Sequence, residues 1–157
     1  MAKKILMVCL GNTCRSPIAE AVMLEILKKA GLSEDWHVDS AAIADWNVNC
    51  PPEPRALRTM AKHGLSYSNQ GRQIQEVDFQ EFDYIFGMDK SNVNHLERLA
   101  PKNCKAKILL LGDFGLPKNE RIIIDPYFDH DDAGFEKAYQ QSVIACEAFL
   151  KNVLFKK

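Results

Sequence analysis

The sequence lacks any useful excess of charge: 20 Lys and Arg against 21 Asp and Glu leave a net charge of −1. Generic binding to nucleic acid or to an acidic membrane surface needs a basic excess, so neither is expected. A C-x-x-C pair and a Cys/His cluster at zinc-ligand spacing are also missing. Five cysteines, Cys9, Cys14, Cys50, Cys104 and Cys146, are an odd number. They read as free thiols of a reducing, cytoplasmic compartment. The apolar run at the N-terminus stops shortly after Cys9, too short for a signal-peptide core or a membrane span. No internal repeat, low-complexity tract or linker breaks the 157 residues. One domain, 1–157, is therefore expected, large enough to fold without a disulfide or metal staple.

What is present alternates between strand and helix signals. Ile5 to Cys9 is a short apolar run of the kind that forms a buried parallel strand. Gly11 and Asn12 mark a turn, and Ser16-Pro17 opens a helix, with Ser16 as the expected cap and Pro17 in the first turn. Ile18, Val22, Ile26 and Ala30 share a face of that helix, which Gly31 ends. Trp36 to Ala42, Asp83 to Met88 and Lys107 to Leu111 read as further strands. Helices are expected over Arg55 to His63, from Asp89 or Ser91 to about Leu99, and along Phe135, Tyr139, Val143, Cys146 and Val153. Apolar strands separated by helices predict an α/β fold, a parallel sheet with helices on both faces. If the first strand is central, ligands bind beyond its carboxyl end, at Cys9.

The segment there is Val8-Cys9-Leu10-Gly11-Asn12-Thr13-Cys14-Arg15-Ser16, which contains Cys-x5-Arg. Alone this is a short pattern; its setting between a strand end and a helix start gives it meaning. Successive loop N–H groups can form an anion nest, and the helix adds its positive N-terminal end. Both favour a bound phosphate and a thiolate at Cys9, with its pKa expected below the free value of ~8.5. Arg15 offers a planar fork to two phosphate oxygens.

The segment at 8–21 resembles the signature of the low-molecular-weight protein tyrosine phosphatases. The resemblance continues through Val38-Asp39-Ser40-Ala41, Arg72-Gln73-Ile74, Phe82-Asp83-Tyr84-Ile85, Met88-Asp89 and Asp125-Pro126-Tyr127. It implies a four-stranded parallel sheet of order 2-1-3-4, with the phosphate loop after strand 1, and metal-free, cofactor-free hydrolysis of phosphoprotein through a phosphocysteine. The phosphate loop would comprise Leu10, Gly11, Asn12, Thr13, Cys14 and Ser16. Cys9 would be the nucleophile, Arg15 the phosphate clamp and Asp125 the general acid. Ser16 would support the thiolate, and Asn12 would hold the loop in a strained shape. Leu10, Trp46 and Tyr127 would line the pocket mouth. Cys14 reads either as a small buried residue or, by the resemblance, as a redox partner for Cys9. Asp125 by itself reads as a turn residue after Ile122-Ile123-Ile124; only the resemblance selects it. Asp129, Asp131 and Asp132 read as a solvated acidic run or a cap for the last helix, and Cys146 as core.

Three departures matter. Phe128 stands where many relatives carry a second tyrosine. Asn69 stands where animal relatives often carry His, which puts the usual support of Asn12 in question. Thr13 replaces the Ile common in tyrosine-specific relatives and matches bacterial protein-arginine phosphatases. Its hydroxyl can accept from a guanidinium N–H, or it is a neutral β-branched exchange. The expected activity is thus phosphotyrosine hydrolysis with phosphoarginine activity beside it, or primarily protein-arginine phosphatase activity. An arsenate reductase would need further cysteines near 80–90, and Phe86 to Ser91 has none. A phosphate-binding module without turnover is disfavoured by Cys9, Arg15 and Asp125 together. The expected partners are phosphorylated proteins or peptides, without stable membrane insertion, and the chain is expected to be a monomer, dimerising weakly at most.

Overall fold

The computed structural model describes residues 2–155. Its elements in chain order are β1 (Lys3–Cys9), α1 (Arg15–Lys29), β2 (Trp36–Ala42), α2 (Pro54–Lys62), α3 (Asp78–Glu81), β3 (Tyr84–Gly87), α4 (Lys90–Leu99), β4 (Lys107–Leu110) and α5 (Ala133–Phe155). The strands form one sheet of order β2-β1-β3-β4, and every pairing is parallel. This is the order expected.

The apolar run of β1 has a physical reason. Its alternate residues serve two cores. Ile5, Met7 and Cys9 face a cluster built with Ile18, Val22, Met23, Met60 and Phe149, so α1, α2 and α5 cover that side. Leu6 and Val8 face a second cluster with Phe79, Ile85 and Leu96, under α3 and α4. A strand covered on both faces cannot carry polar alternation.

The glycine stops behave as read. Gly31 (φ 73°) and Gly64 (φ 77°) are left-handed. After each, the next N–H reaches back five residues, Leu32 to Leu27 O at 2.8 Å and Leu65 to Met60 O at 2.9 Å, the double-bonded C-terminal closure that glycine permits. The helix cap assigned to Ser16 is corrected. The residue flanking α1 is Cys14, no side chain caps it, and the helix begins at Arg15. Ser16 lies inside the first turn, with its hydroxyl turned toward Cys9. The turn-rich stretch after β4 holds two 3-10 turns, Leu111–Asp113 and Lys118–Glu120. Cys146 is fully buried in α5, as expected for core.

Candidate active site

Cys9 is the last residue of a central strand, and residues 10–14 bridge it to α1. Its Sγ receives the Asn12 backbone N–H at 3.3 Å and shares a hydrogen bond of 3.0 Å with the Ser16 hydroxyl. The Ser16 oxygen accepts from Asn12 Nδ2 at 2.8 Å, so its own proton is free to donate to sulfur. Both contacts favour negative charge at Sγ.

Asn12 shapes this loop. It adopts φ 56°, a left-handed conformation that costs an ordinary side chain energy and that Asn tolerates best. Its amide is fully employed. Nδ2 donates to Ser16 Oγ and to Ser40 Oγ at 3.0 Å, and Oδ1 accepts from the Arg72 backbone N–H at 3.1 Å. Behind Ser40 lies the buried Glu20, which accepts from the Ser40 hydroxyl and from Tyr67 Oη at 2.7 Å. Burial raises the Glu20 pKa above its ordinary value, against the hydrogen bonds from Ser40 and Tyr67. Asn69 joins the same carboxylate at 3.3 Å and Asp39 at 3.1 Å. The departure at 69 therefore leaves Asn12 held, by a network in which Asn69 and Tyr67 both reach Glu20.

Arg15 is 2% exposed. Its Nη1 donates to Asp89 Oδ2 at 2.6 Å and to Ile123 O at 2.9 Å. Burial works against its charge, but Cys9 and Asp89 outweigh that and hold its pKa above the ordinary arginine value. Its Nε is buried with no partner. A buried guanidinium N–H without an acceptor is costly unless an anion completes it. Asp125 reaches the same side chain, with Oδ2 3.8 Å from Arg15 Nη2. The backbone brings it there: Ile123 N–H donates to Met88 O at 3.0 Å, just past β3. A side chain at Gly112 would overlap Arg121 O, so the close approach of this segment requires glycine.

These groups open into a cleft of about 590 Å³. Leu10, Trp46, Tyr127 and Phe128 form its rim with Leu57 and the prolines at 51, 52 and 54, and Cys9, Thr13, Arg15 and Asp125 also line it. Trp46 is 70% exposed, consistent with a rim position. Thr13 is half-buried, with Oγ1 3.7 Å from Cys14 Sγ. Burial, with repulsion from Cys9, Asp125 and Glu53, pushes the Cys14 thiol up to about 12 despite the Thr13 hydrogen bond. Of the acidic run, Asp131 caps the Ala133 N–H at 3.0 Å and Asp132 pairs with Arg58 at 3.0 Å.

Sequence reasoning did not anticipate that Asp89 holds Arg15. It read Asp89 as a helix cap, and the carboxylate does both: Oδ1 accepts from Asn92 N–H at 2.8 Å while Oδ2 holds the guanidinium. Tyr67 and Glu53 also went unnoticed, because nothing local in the sequence marks them as neighbours of the loop; Glu20 lies within the 8–21 segment, but its link to Asn12 through Ser40 is visible only in the fold.

The fold and the cleft define a class: an α/β protein with an oxyanion cradle around a cysteine at the end of a central strand. The family model "Low molecular weight phosphotyrosine protein phosphatase" matches residues 4–157, and the chain belongs to that family. Low molecular weight phosphotyrosine protein phosphatase 1 of Drosophila melanogaster is 57% identical over 156 residues, covering 99% of this chain and 100% of its own length. The crystal structure of Primo-1 superposes with a TM-score of 0.95 at 57% identity, covering 98% of this chain and 99% of that one. The crystal structure of DARP, a drosophila arginine phosphatase, gives 0.94 at 43% identity, covering 98% and 99%. The chain is thus a low molecular weight phosphotyrosine protein phosphatase, whose substrates are phosphorylated proteins.

Proposed function

We propose that hydrolysis proceeds through a phosphocysteine on Cys9. The observation that carries this is the orphaned Arg15 Nε beside a sulfur already holding two donors. A phosphoryl group in the cleft completes the guanidinium. Cys9 Sγ attacks phosphorus as the P–O bond to the leaving group breaks, and Asp125 gives its proton to the departing oxygen. Asp125, now a carboxylate, then takes a proton from the water that attacks the phosphocysteine. The S–P bond breaks, and phosphate and the thiolate are regenerated. Asn12 and Ser16 hold the loop and the thiolate. Slowing the second step should expose the intermediate. Asp125→Asn, quenched by denaturation during turnover of an aryl phosphate with a very good leaving group, for which loss of the acid spares the first step, should show one phosphoryl group on the Cys9 peptide by mass spectrometry. Full turnover with no label on that peptide would remove the phosphocysteine.

A second reading concerns the substrate residue. Two observations favour phosphoarginine activity beside phosphotyrosine: Thr13 lines the cleft, and a drosophila arginine phosphatase shares the fold at 43% identity. A phosphoarginine guanidinium needs acceptors once desolvated, and an unmet N–H costs roughly 1–3 kcal/mol. The Thr13 hydroxyl is such an acceptor, while Trp46 and Tyr127 suit an aromatic ring. Turnover of matched phosphotyrosine and phosphoarginine peptides tests this directly. Hydrolysis of both is expected; no phosphoarginine turnover removes the second activity.

A further inference from the structure

The loop that carries Asp125 is held from outside the catalytic strands. Between Ile123, bonded to the end of β3, and α5, residues 125–132 form no regular element. Arg55, in the first turn of α2, spans this gap. Its Nη2 donates to Tyr127 O at 2.7 Å and its Nη1 to Asp129 O at 2.6 Å. Its Nε donates to Glu53 Oε1 at 3.0 Å, and the guanidinium lies over the Phe135 ring, 4.6 Å from the centroid. Glu53 in turn donates its backbone N–H to Thr13 O at 2.9 Å, while its carboxylate caps Arg55 N–H at 2.8 Å. A continuous chain of contacts thus runs from the phosphate loop through Glu53 and Arg55 to the two carbonyls that follow Asp125.

We propose that Arg55 is a positioning residue that fixes the Asp125 loop to the phosphate loop; this rests on the reading of Asp125 as the acid. The planar fork is what the task requires. It bonds two carbonyls two residues apart and a carboxylate at once, and lies flat on an aromatic ring. A lysine ammonium has the charge and lacks this geometry. A proton donor must sit within hydrogen-bond reach of the leaving oxygen, and small displacements are expensive in rate. Asp125 Oδ1 already accepts from Tyr127 N–H at 3.1 Å, so the residue that makes that bond is the one whose carbonyl Arg55 holds.

The test uses Arg55→Met, which keeps an unbranched apolar stem but removes the guanidinium that lies over Phe135, and Arg55→Lys, which keeps a charge without the fork. Two readouts are needed. Amide hydrogen exchange in 126–132 should accelerate in Arg55→Met, and less in Arg55→Lys, while exchange in α1 stays at the wild-type rate. Across a series of aryl phosphates, Arg55→Met should lose about tenfold or more in kcat for poor leaving groups and about twofold or less for activated ones. The inhibition constant of inorganic phosphate should not move. Added to Asp125→Asn, the substitution should cost no further leaving-group dependence. Unchanged exchange in 126–132 overturns the proposal, as does an equal loss across the series or a weakened phosphate constant. If exchange accelerates but Asp125→Asn alone shows a flat series, the acid reading fails and Arg55 is left as a structural staple only.

Discussion

Arg15 and Asp89 meet through one short ion pair, Nη1 to Oδ2 at 2.6 Å, and this pair sets the direction of the guanidinium. With Nη1 committed to Asp89 and to Ile123 O, the unpaired Nε is left for the ligand. The pair joins the helix after β1 to the helix after β3, across the crevice where the chain reverses direction along the sheet.

Asp89→Asn tests that arrangement. Asn remains a good helix cap, but it leaves the buried Arg15 without its carboxylate partner, so the melting temperature should fall. It surrenders the charge facing Arg15, and the inhibition constant of inorganic phosphate should rise about five- to tenfold, the scale of a weakened hydrogen bond to a charged group. Competitive inhibition by phosphate and a thermal melt measure both. A loss of melting temperature with unchanged phosphate affinity would reverse the assignment.

Asp125→Asn should cut turnover strongly for phosphotyrosine and weakly for aryl phosphates with very good leaving groups, because an oxygen already stable as an anion needs little help from a proton. The slope of log kcat against leaving-group pKa reads this. An unchanged slope contradicts the acid role.

Cys14 is a buried thiol whose pKa lies near 12, so it is protonated at neutral pH. If it resolves an oxidised Cys9 by forming a disulfide, the rate of closure should rise with pH from about 6 to 8, following the growing thiolate fraction. Recovery of activity by a thiol reductant after peroxide should be complete in the wild type and reduced in Cys14→Ser. Equal recovery in both contradicts the protective role.

Glu20 makes a stability prediction with a definite sign. Burial raises its folded pKa above the ordinary 4.5. Its stabilising contribution is therefore fully present below the unfolded pKa and is lost as pH rises through the folded one. Glu20→Gln does not titrate and keeps an acceptor for Tyr67 and Ser40. Its melting temperature relative to the wild type should climb as pH is raised from about 4 to 7. A constant difference over that range would show that Glu20 titrates as it does in the unfolded chain.

Much of this was legible in the sequence, for physical reasons. β1 is an unbroken apolar run because it is buried on both faces, and Gly31 and Gly64 announce helix ends because few residues tolerate left-handed backbone. The phosphate loop is contiguous, so Cys9, Asn12, Arg15 and Ser16 could be read together. Ser16 was misread as a cap because the sequence does not reveal that the helix starts at Arg15 or that Cys9 engages the Ser16 hydroxyl. Asp125, Asp89, Tyr67 and Arg55 come to the site from distant segments, and neither spacing nor composition connects them to Cys9; Glu20 is close in sequence, but nothing there marks it as the carboxylate behind Ser40. Asp125 was reached through family resemblance alone.

A separate comparison weighs Thr13. Thr13→Ile should lower kcat/KM for a phosphoarginine peptide at least about tenfold, equivalent to ~1.4 kcal/mol, and leave the phosphotyrosine value similar or higher. Equal phosphoarginine turnover by both proteins would make Thr13 a neutral exchange.

The most direct measurement is turnover and binding by Cys9→Ser, side by side. A serine hydroxyl is not ionised in this cradle, so the attack on phosphorus loses its nucleophile while Arg15 and the loop N–H groups remain. Hydrolysis of a phosphotyrosine peptide should fall to background, with the peptide still bound by calorimetry and the melting temperature close to that of the wild type. Near-wild-type hydrolysis by Cys9→Ser would contradict the account at its centre.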